Sequence, residues 1–258
     1  MSSSRAFSGA AFFIYVEGKK VRVSDCAVFC IWKVYNKMKL EEHIMSYLPI
    51  DPGRDTEPIR VFKSDFLESF THISPATIAG FWLPIIVVLL VYAVLTASIA
   101  AFPWYILLGF VIGLFLWTLA EYLLHRFLFH HHPTTPRQER IFFLFHGIHH
   151  AQPQVKTRLV LPIPVTLPLA GLFFGLFYLI LAVMFHSPEW VAPLMAGFLA
   201  GYLVYDLTHY AQHHFPMRAG YAKFIKRYHM QHYYKDPNTR FGVSSPIWDW
   251  VFRTQGVE

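Results

Sequence analysis

The sequence predicts an all-α integral membrane protein: four transmembrane helices in two hairpins, with the polar segments on one face of the bilayer. Three observations lead there. Hydrophobic residues make up 55% of the 258 and charged residues 15%, against about 25% charged in a soluble domain. The apolar residues stand in long charge-free blocks. Fifteen histidines are present, most of them crowded into three short stretches. A mean hydropathy of +0.37 excludes disordered and fibrous classes.

Residues 1–68 are amphiphilic and nearly neutral, with ten Lys/Arg and nine Asp/Glu. Glu17, Lys19, Lys20 and Arg22 follow a weak apolar stretch too soon for a secretory signal. Asp51-Pro52-Gly53 reads as a turn. Cys26 and Cys30, neighbours on one helical face, are too few for a disulfide framework and read as reduced. We expect residues 1–57 to form a cytosolic N-terminal segment and residues 58–258 a membrane domain.

Residues 69–120 carry no Asp, Glu, Lys or Arg over 52 positions. A span needs about 20 apolar residues, so this block holds two, about 77–101 and 103–124, joined at Phe102-Pro103. Residues 159–188 form a second charge-free block with Pro162, Pro164 and Pro168, and predict a third span over about 164–185. A turn at residues 186–189 leads to a fourth apolar stretch, residues 190–205. That stretch reaches span length, about 189–208, if its helix continues past Asp206. The N-terminal segment, residues 121–158 and residues 207–258 hold ten, five and seven Lys/Arg, and the turns near 102 and 187 hold none. The positive-inside rule places all three polar segments in the cytosol. The formal charge of +6 is spread without a Lys/Arg run, which argues against nucleic-acid binding.

The histidines form four clusters: His125 and His130; His146, His149 and His150; His209, His213 and His214; His229 and His232. Residues three or four apart share a helix face, so imidazoles at such spacing converge on one ion. Neutral imidazole suits iron, zinc and copper. Glu121 and Asp206 precede two clusters by four and three residues and read as acceptors that orient imidazole N–H groups. His43, His72 and His186 are isolated and read as structural; His131 and His132 extend the first cluster ambiguously. Nine or ten imidazoles exceed the roughly four that one structural zinc takes. The expected fold is therefore completed by a cytosolic helical cap holding a dinuclear histidine-rich metal site.

Around these clusters stand Glu121-Tyr122, Phe145-His146-Gly147, Arg158-Leu-Val-Leu-Pro162, Tyr205-Asp206, Phe241-Gly-Val-Ser-Ser, Trp248-Asp249 and Val251-Phe252. With them, roughly residues 58–255 resemble the fatty acid hydroxylase/sterol desaturase superfamily of membrane di-iron enzymes, and most closely its fatty acid 2-hydroxylases. The resemblance implies O2-dependent hydroxylation at carbon 2 of a long acyl chain, in a free fatty acid or a ceramide. It implies two Fe ions, with Zn possible in purified protein, held by His125, His130, His146, His149, His150, His209, His213, His229 and His232. The family pattern ends in HX2HH, and here Tyr233 stands at the last position. His214, a water molecule, Tyr233 itself or a weaker second site are the alternatives, with loss of activity as a further one. No His-Pro-Gly-Gly haem motif occurs, so electrons are expected from a separate donor such as cytochrome b5, drawn to the basic cytosolic face. The family resides in the endoplasmic reticulum membrane; a bacterial chain would sit in the inner membrane.

Tyr122, Tyr228, Trp248 and Trp250 are candidates for the mouth of a lipid path or for an interfacial belt. Two rival readings stand beside the acyl hydroxylase. A sterol or other lipid oxidase or desaturase shares the histidine scaffold. A metal transporter or scaffold would place ionisable ligands near the midplane of its spans, whereas these clusters sit at span ends.

Overall fold

The computed structural model describes residues 13–16, 19–22, 58–97, 103–131 and 133–256. Cys26, Cys30, His43, the Asp51-Pro52-Gly53 turn and His132 lie outside them. The chain divides into two units, Met1–Arg54 and Asp55–Glu258. In the first, β1 (Phe13–Val16) pairs antiparallel with β2 (Lys19–Arg22), Phe13 opposite Arg22. Its β-branched and aromatic residues favour a hairpin, a small departure from the all-helical expectation.

The described part of the second unit is helical. After the short α1 (Asp65–Ser69), α2 (Pro75–Thr96) opens with Pro75 in its first turn and Ser74 accepting from Thr77 N at 3.1 Å. Pro103 caps α3 (Trp104–Leu123), which widens into a π-helical turn at Leu124–Phe129. Thr135 caps α4 (Pro136–Phe142), which runs through a second π turn, Phe143–Gly147, into α5 (Ile148–Ala151). Then follow α6 (Ile163–Phe177), extended by a π-helical stretch at Tyr178–Met184, α7 (Val191–His214), α8 (Gly220–Tyr234) and α9 (Ile247–Val251).

Four stretches are long and apolar enough to cross a membrane: Pro75–Thr96, Trp104–Phe129, Lys156–Met184 and Pro188–His214. The second and fourth run on past the expected 124 and 208, carrying their histidines on continuous helix. The spans differ in burial. Sixteen of the 24 residues of α7 are buried, whereas α6 buries only Thr166 and Phe177. Helix α7 packs most extensively on α3, then on α2, and only lightly on its sequence neighbour α6. Trp82, Trp117, Phe198 and Tyr202 form the centre of that core; the Trp117 ring meets Phe198 edge-on at 5.1 Å and Tyr202 at 5.3 Å. The α3–α7 crossing is close because Gly113 faces the partner backbone: a Cβ there would sit 2.1 Å from the Leu194 carbonyl oxygen. Small residues permit such contact between membrane helices.

Gly113→Val should therefore force α3 from α7 and abolish recovery of monodisperse protein in detergent. Gly80→Ala, at a helical position with nothing within 4 Å of the new methyl, should leave recovery intact and raise the thermal midpoint slightly.

Candidate metal centre

The four histidine clusters converge as two groups. His125, His130, His146 and His232 form one; His149, His209, His213 and His229 form the other, and within each group the nearest ring nitrogens lie within 4.8 Å of one another. Local geometry explains how the clusters divide. His125 and His130 are five residues apart, a spacing that an ordinary α-turn sends to different faces. The π turn at Leu124–Phe129 resolves this: His130 N donates to the His125 carbonyl at 3.0 Å, an i to i+5 bond. His146 lies in the second π turn, and His150, one α-turn on, brings its Nε2 to 2.8 Å from His146 Nε2. His149 lies on another face of that turn and joins the second group with His209 and His213 of α7. On α8, His229 and His232 serve one group each, their rings stacked 5.9 Å apart.

The nitrogens that face inward are acceptors. His125 Nδ1 donates to the Phe241 carbonyl at 2.5 Å, and His232 Nδ1 donates to the Thr239 carbonyl at 2.6 Å. Each ring thus carries its proton on Nδ1 and presents a bare Nε2. His130 Nε2 lies 3.2, 3.1 and 3.1 Å from the Nε2 atoms of His125, His146 and His232. In the second group His213 and His229 bring their Nε2 atoms to 3.0 Å. Ring nitrogens this close share either a proton or a cation among them. His149 Nδ1 and Nε2, His209 Nε2 and His229 Nδ1 are buried without a hydrogen-bond partner, a costly state for polar atoms. Burial, with neighbouring imidazoles second, holds His146, His149 and His229 well below the ordinary histidine pKa and His150 at about 3. The donor set of each group, four imidazole nitrogens brought together, fits a bound transition-metal ion.

The two carboxylates do not orient imidazoles directly, contrary to expectation. Glu121 Oε1 accepts from Val243 N at 2.6 Å and Ser244 N at 2.7 Å, and its Oε2 accepts from the Ser244 hydroxyl. Asp206 accepts from Leu161 N at 3.2 Å and the Tyr202 hydroxyl at 3.3 Å. Glu121 acts one step removed, by holding the strap of residues 239–245 whose carbonyls fix His125 and His232. Asp249, overlooked as a site residue, holds the same strap: its carboxylate accepts from Phe241 N at 2.9 Å and Gly242 N at 2.8 Å. Gln212 Nε2 donates to the Val243 carbonyl at 2.9 Å. The motifs Phe241-Gly-Val-Ser-Ser and Trp248-Asp249 were the available signal. Gly242 is required there, since a Cβ would lie 2.1 Å from the Ser245 carbonyl oxygen.

Neither candidate for a replacement ligand completes the groups. Tyr233 stacks on His150 at 4.7 Å, and its hydroxyl donates to the carbonyls of His149, at 3.1 Å, and of His150. His214 follows His213 on α7, and a rotation of about 100° per residue turns its ring onto Tyr210 at 4.6 Å instead. His131 is exposed, and His186 is an exposed turn residue with φ 53°. His72 bonds Thr157 and Arg158 at 2.8 and 3.0 Å. Tyr122 is buried, bonded to Thr254 at 3.1 Å and Arg126 at 2.6 Å. Tyr228 is buried too; Trp248 donates to Thr118 at 2.9 Å, and Trp250 alone of the four aromatics is exposed.

An apolar cavity of about 290 Å³ opens among the spans, lined by Trp82, Trp117, Leu169, Phe173, Phe198 and Tyr202, and reaches Glu121 and Phe129. A second, of about 60 Å³, is lined by His146, His149 and His209. The two share Phe129, Leu161 and Tyr205 as walls.

Comparison with known proteins agrees with this geometry. The fatty acid hydroxylase family model matches residues 110–254. A fatty acid 2-hydroxylase of Macaca fascicularis is 36% identical over 77% of this chain and 57% of its own length. The match thus spans little more than half of that relative. A dihydroceramide fatty acyl 2-hydroxylase of Arabidopsis thaliana is 35% identical over 76% of this chain and 79% of its own. The structure of full-length scs7p, with only the hydroxylase domain visible, superposes with a TM-score of 0.67 at 35% identity, covering 74% of this chain and 69% of that one.

Depressed histidine pKa values make the fold acid-sensitive. Free histidine takes up a proton below about 6.5, whereas His232 resists to about 4 and His150 to about 3. Between those values the unfolded chain binds more protons than the folded one, so stability is lost as the pH is lowered. The thermal midpoint of chelator-treated protein should be flat above about pH 7 and drop progressively from about 6.5 through about 4. A pH-independent midpoint would contradict the neutral buried imidazoles.

Proposed function

The chain belongs to the fatty acid hydroxylase family, and from that premise we propose that it hydroxylates carbon 2 of a long fatty acyl chain, free or as the N-acyl group of a ceramide. The observation that carries this reading is the pair of four-imidazole groups whose ring nitrogens approach one another to about 3 Å. In this reading each group holds one iron: His125, His130, His146 and His232 the first, His149, His209, His213 and His229 the second. His150, beside His146, is a further donor. The metal pair, once bound and reduced, supplies the activation of O2 and the cleavage of an unactivated C–H bond. Overall, one oxygen atom enters the acyl chain and the other leaves as water, with two electrons and two protons consumed. A separate donor of the cytochrome b5 kind delivers the electrons to the basic polar face.

The chain's own residues prepare that chemistry. The Thr239 and Phe241 carbonyls keep the Nδ1 protons in place, so His125 and His232 bind through Nε2. Glu121 and Asp249 hold the strap that carries those carbonyls. The apolar cavity beside Phe129 receives the chain and keeps water from it. Residues 58–258 serve as the catalytic membrane domain and residues 1–57 as a cytosolic segment. The site faces the cytosol, in the endoplasmic reticulum membrane or, in a bacterium, the inner membrane.

Lipid mass spectrometry on cells expressing the chain with a cytochrome b5 donor provides the test. We expect an acyl species one oxygen atom heavier, labelled by ¹⁸O2, hydroxylated at carbon 2 and missing from the His149→Ala, His150→Ala variant. A sterol product instead would overturn the acyl assignment. Purified protein should hold two metal ions per chain. Asp249→Asn, which weakens the anchorage of the Phe241 carbonyl, should lower metal affinity by about 10–100-fold in a chelator competition. Unchanged affinity would remove the strap from the account.

A further inference from the structure

The second cavity contains a group that the metal reading leaves unused. Arg158 lies in the single 3₁₀ turn Lys156–Arg158 between α5 and α6 and is 6% exposed. Its Nη2 donates to Glu68 Oε1 at 2.5 Å and to His72 Nε2 at 3.0 Å. Glu68 is itself held by Val61 N at 3.0 Å and Phe62 N at 2.7 Å. The segment before α2 is pinned to the same turn, Ile73 N donating to the Thr157 carbonyl at 2.9 Å. The guanidinium is therefore fixed at one edge. Its Nε and Nη1 are buried and have no partner. Arg158 lines the 60 Å³ cavity together with His146, His149 and His209.

A buried guanidinium with two unused N–H donors is costly unless an acceptor meets them. Nε–H and Nη1–H flank the bonded Nη2 and are separate donors, either of which can meet an oxygen in the cavity. Because Glu68 already balances the charge, the acceptor that suits this pair is a neutral carbonyl rather than a second carboxylate. The cavity is several times the roughly 10–15 Å³ that one water occupies, room for a carbonyl and the carbon beside it. Beyond its shared walls, Phe129, Leu161 and Tyr205, lies the 290 Å³ apolar cavity. Val61 and Thr71, both half-buried, border the small cavity from the segment before α2.

The small cavity thus brings N–H donors and imidazoles together, and the apolar cavity adjoins it across shared walls. An acyl lipid carries a carbonyl, carbon 2 and a chain to match. We propose that Arg158 binds the acyl carbonyl oxygen through one of these unpaired N–H donors, and by anchoring it selects carbon 2 as the position hydroxylated. This assignment rests on the hydroxylase reading above. It also makes an amide-linked acyl chain a better ligand than a free fatty acid.

Two measurements test it. In the first, purified metal-free wild-type protein is titrated with N-hexadecanoyl-sphinganine, with N-hexadecyl-sphinganine, which lacks the carbonyl, and with hexadecanoic acid, binding being read by thermal shift. The amide should bind at least about tenfold more tightly than either, the discrimination expected of hydrogen bonds to a charged donor. Equal binding of amide and amine overturns the proposal; tighter binding of the acid overturns its preference for a neutral carbonyl. In the second, Arg158→Gln and Arg158→Lys are compared with wild type for metal content, KM, kcat and the position of the product hydroxyl. With metal content preserved, Arg158→Gln should raise KM at least about tenfold and scatter hydroxylation beyond carbon 2, and Arg158→Lys should restore part of the selectivity. Unchanged KM with the hydroxyl still confined to carbon 2 overturns the proposal. If Arg158→Gln fails to fold, the wild-type titration still decides. If wild-type protein yields no hydroxylated lipid, the hydroxylase reading falls, while the carbonyl-dependent binding remains a separate result.

Discussion

The hydrogen bonds from His125 Nδ1 to the Phe241 carbonyl and from His232 Nδ1 to the Thr239 carbonyl are the constraint on which the metal centre depends. They decide which nitrogen of each ring is protonated, and hence which is free. The constraint is transmitted through a short strap rather than delivered by a carboxylate. Glu121 takes three bonds from the strap, Asp249 two, and Gln212 donates one to it. All four backbone N–H groups of residues 241–244 are taken by the carboxylates of Asp249 and Glu121. A half-satisfied network at this depth would cost more than it contributes. That accounts for buried acids beside a site meant for cations: they serve the backbone that positions the imidazoles.

The membrane part is organised around the same requirement. Helix α7 carries His209 and His213 and is also the most buried span. Its close contact with α3, which carries His125 on its π-helical extension, ties the two histidine-bearing spans together. The loosely packed α6 borders the larger cavity instead. Rigidity is placed where ligands must be held within fractions of an ångström. The side bordered by the loosely packed helix is the one that lines the space for a chain.

Much of this was readable in the residues. Charge-free stretches of 52 and 30 positions declared the spans, because burial in lipid is a property each residue contributes along the chain. The i, i+4 pair His209 and His213 declared its own face. The partition into two groups did not show, because it depends on contacts remote in sequence: His125 and Phe241 are 116 residues apart. The five-residue spacing of His125 and His130 only makes sense once the helix is seen to widen. Glu121 and Asp206 were found as buried acids but given the wrong partners. Asp249 was quoted within its Trp248-Asp249 motif but given no role, because an acid far along the chain from every histidine carries no local sign of what it holds. The central place of α7 was likewise hidden, since hydropathy cannot rank spans by depth, whereas Gly113 on its partner helix could have.

The strap has a consequence for the life of the protein in the cell. Its carbonyls, and the aspartate that anchors them, lie after the fourth span in chain order, as do His229 and His232. Synthesis runs from the other end, so all four spans reach the bilayer before either nest of imidazoles is whole. On the proposed reading, acquisition of metal is therefore a post-insertion event. A ribosome stalled before residue 229 would leave a correctly threaded membrane protein incapable of acquiring its full metal complement.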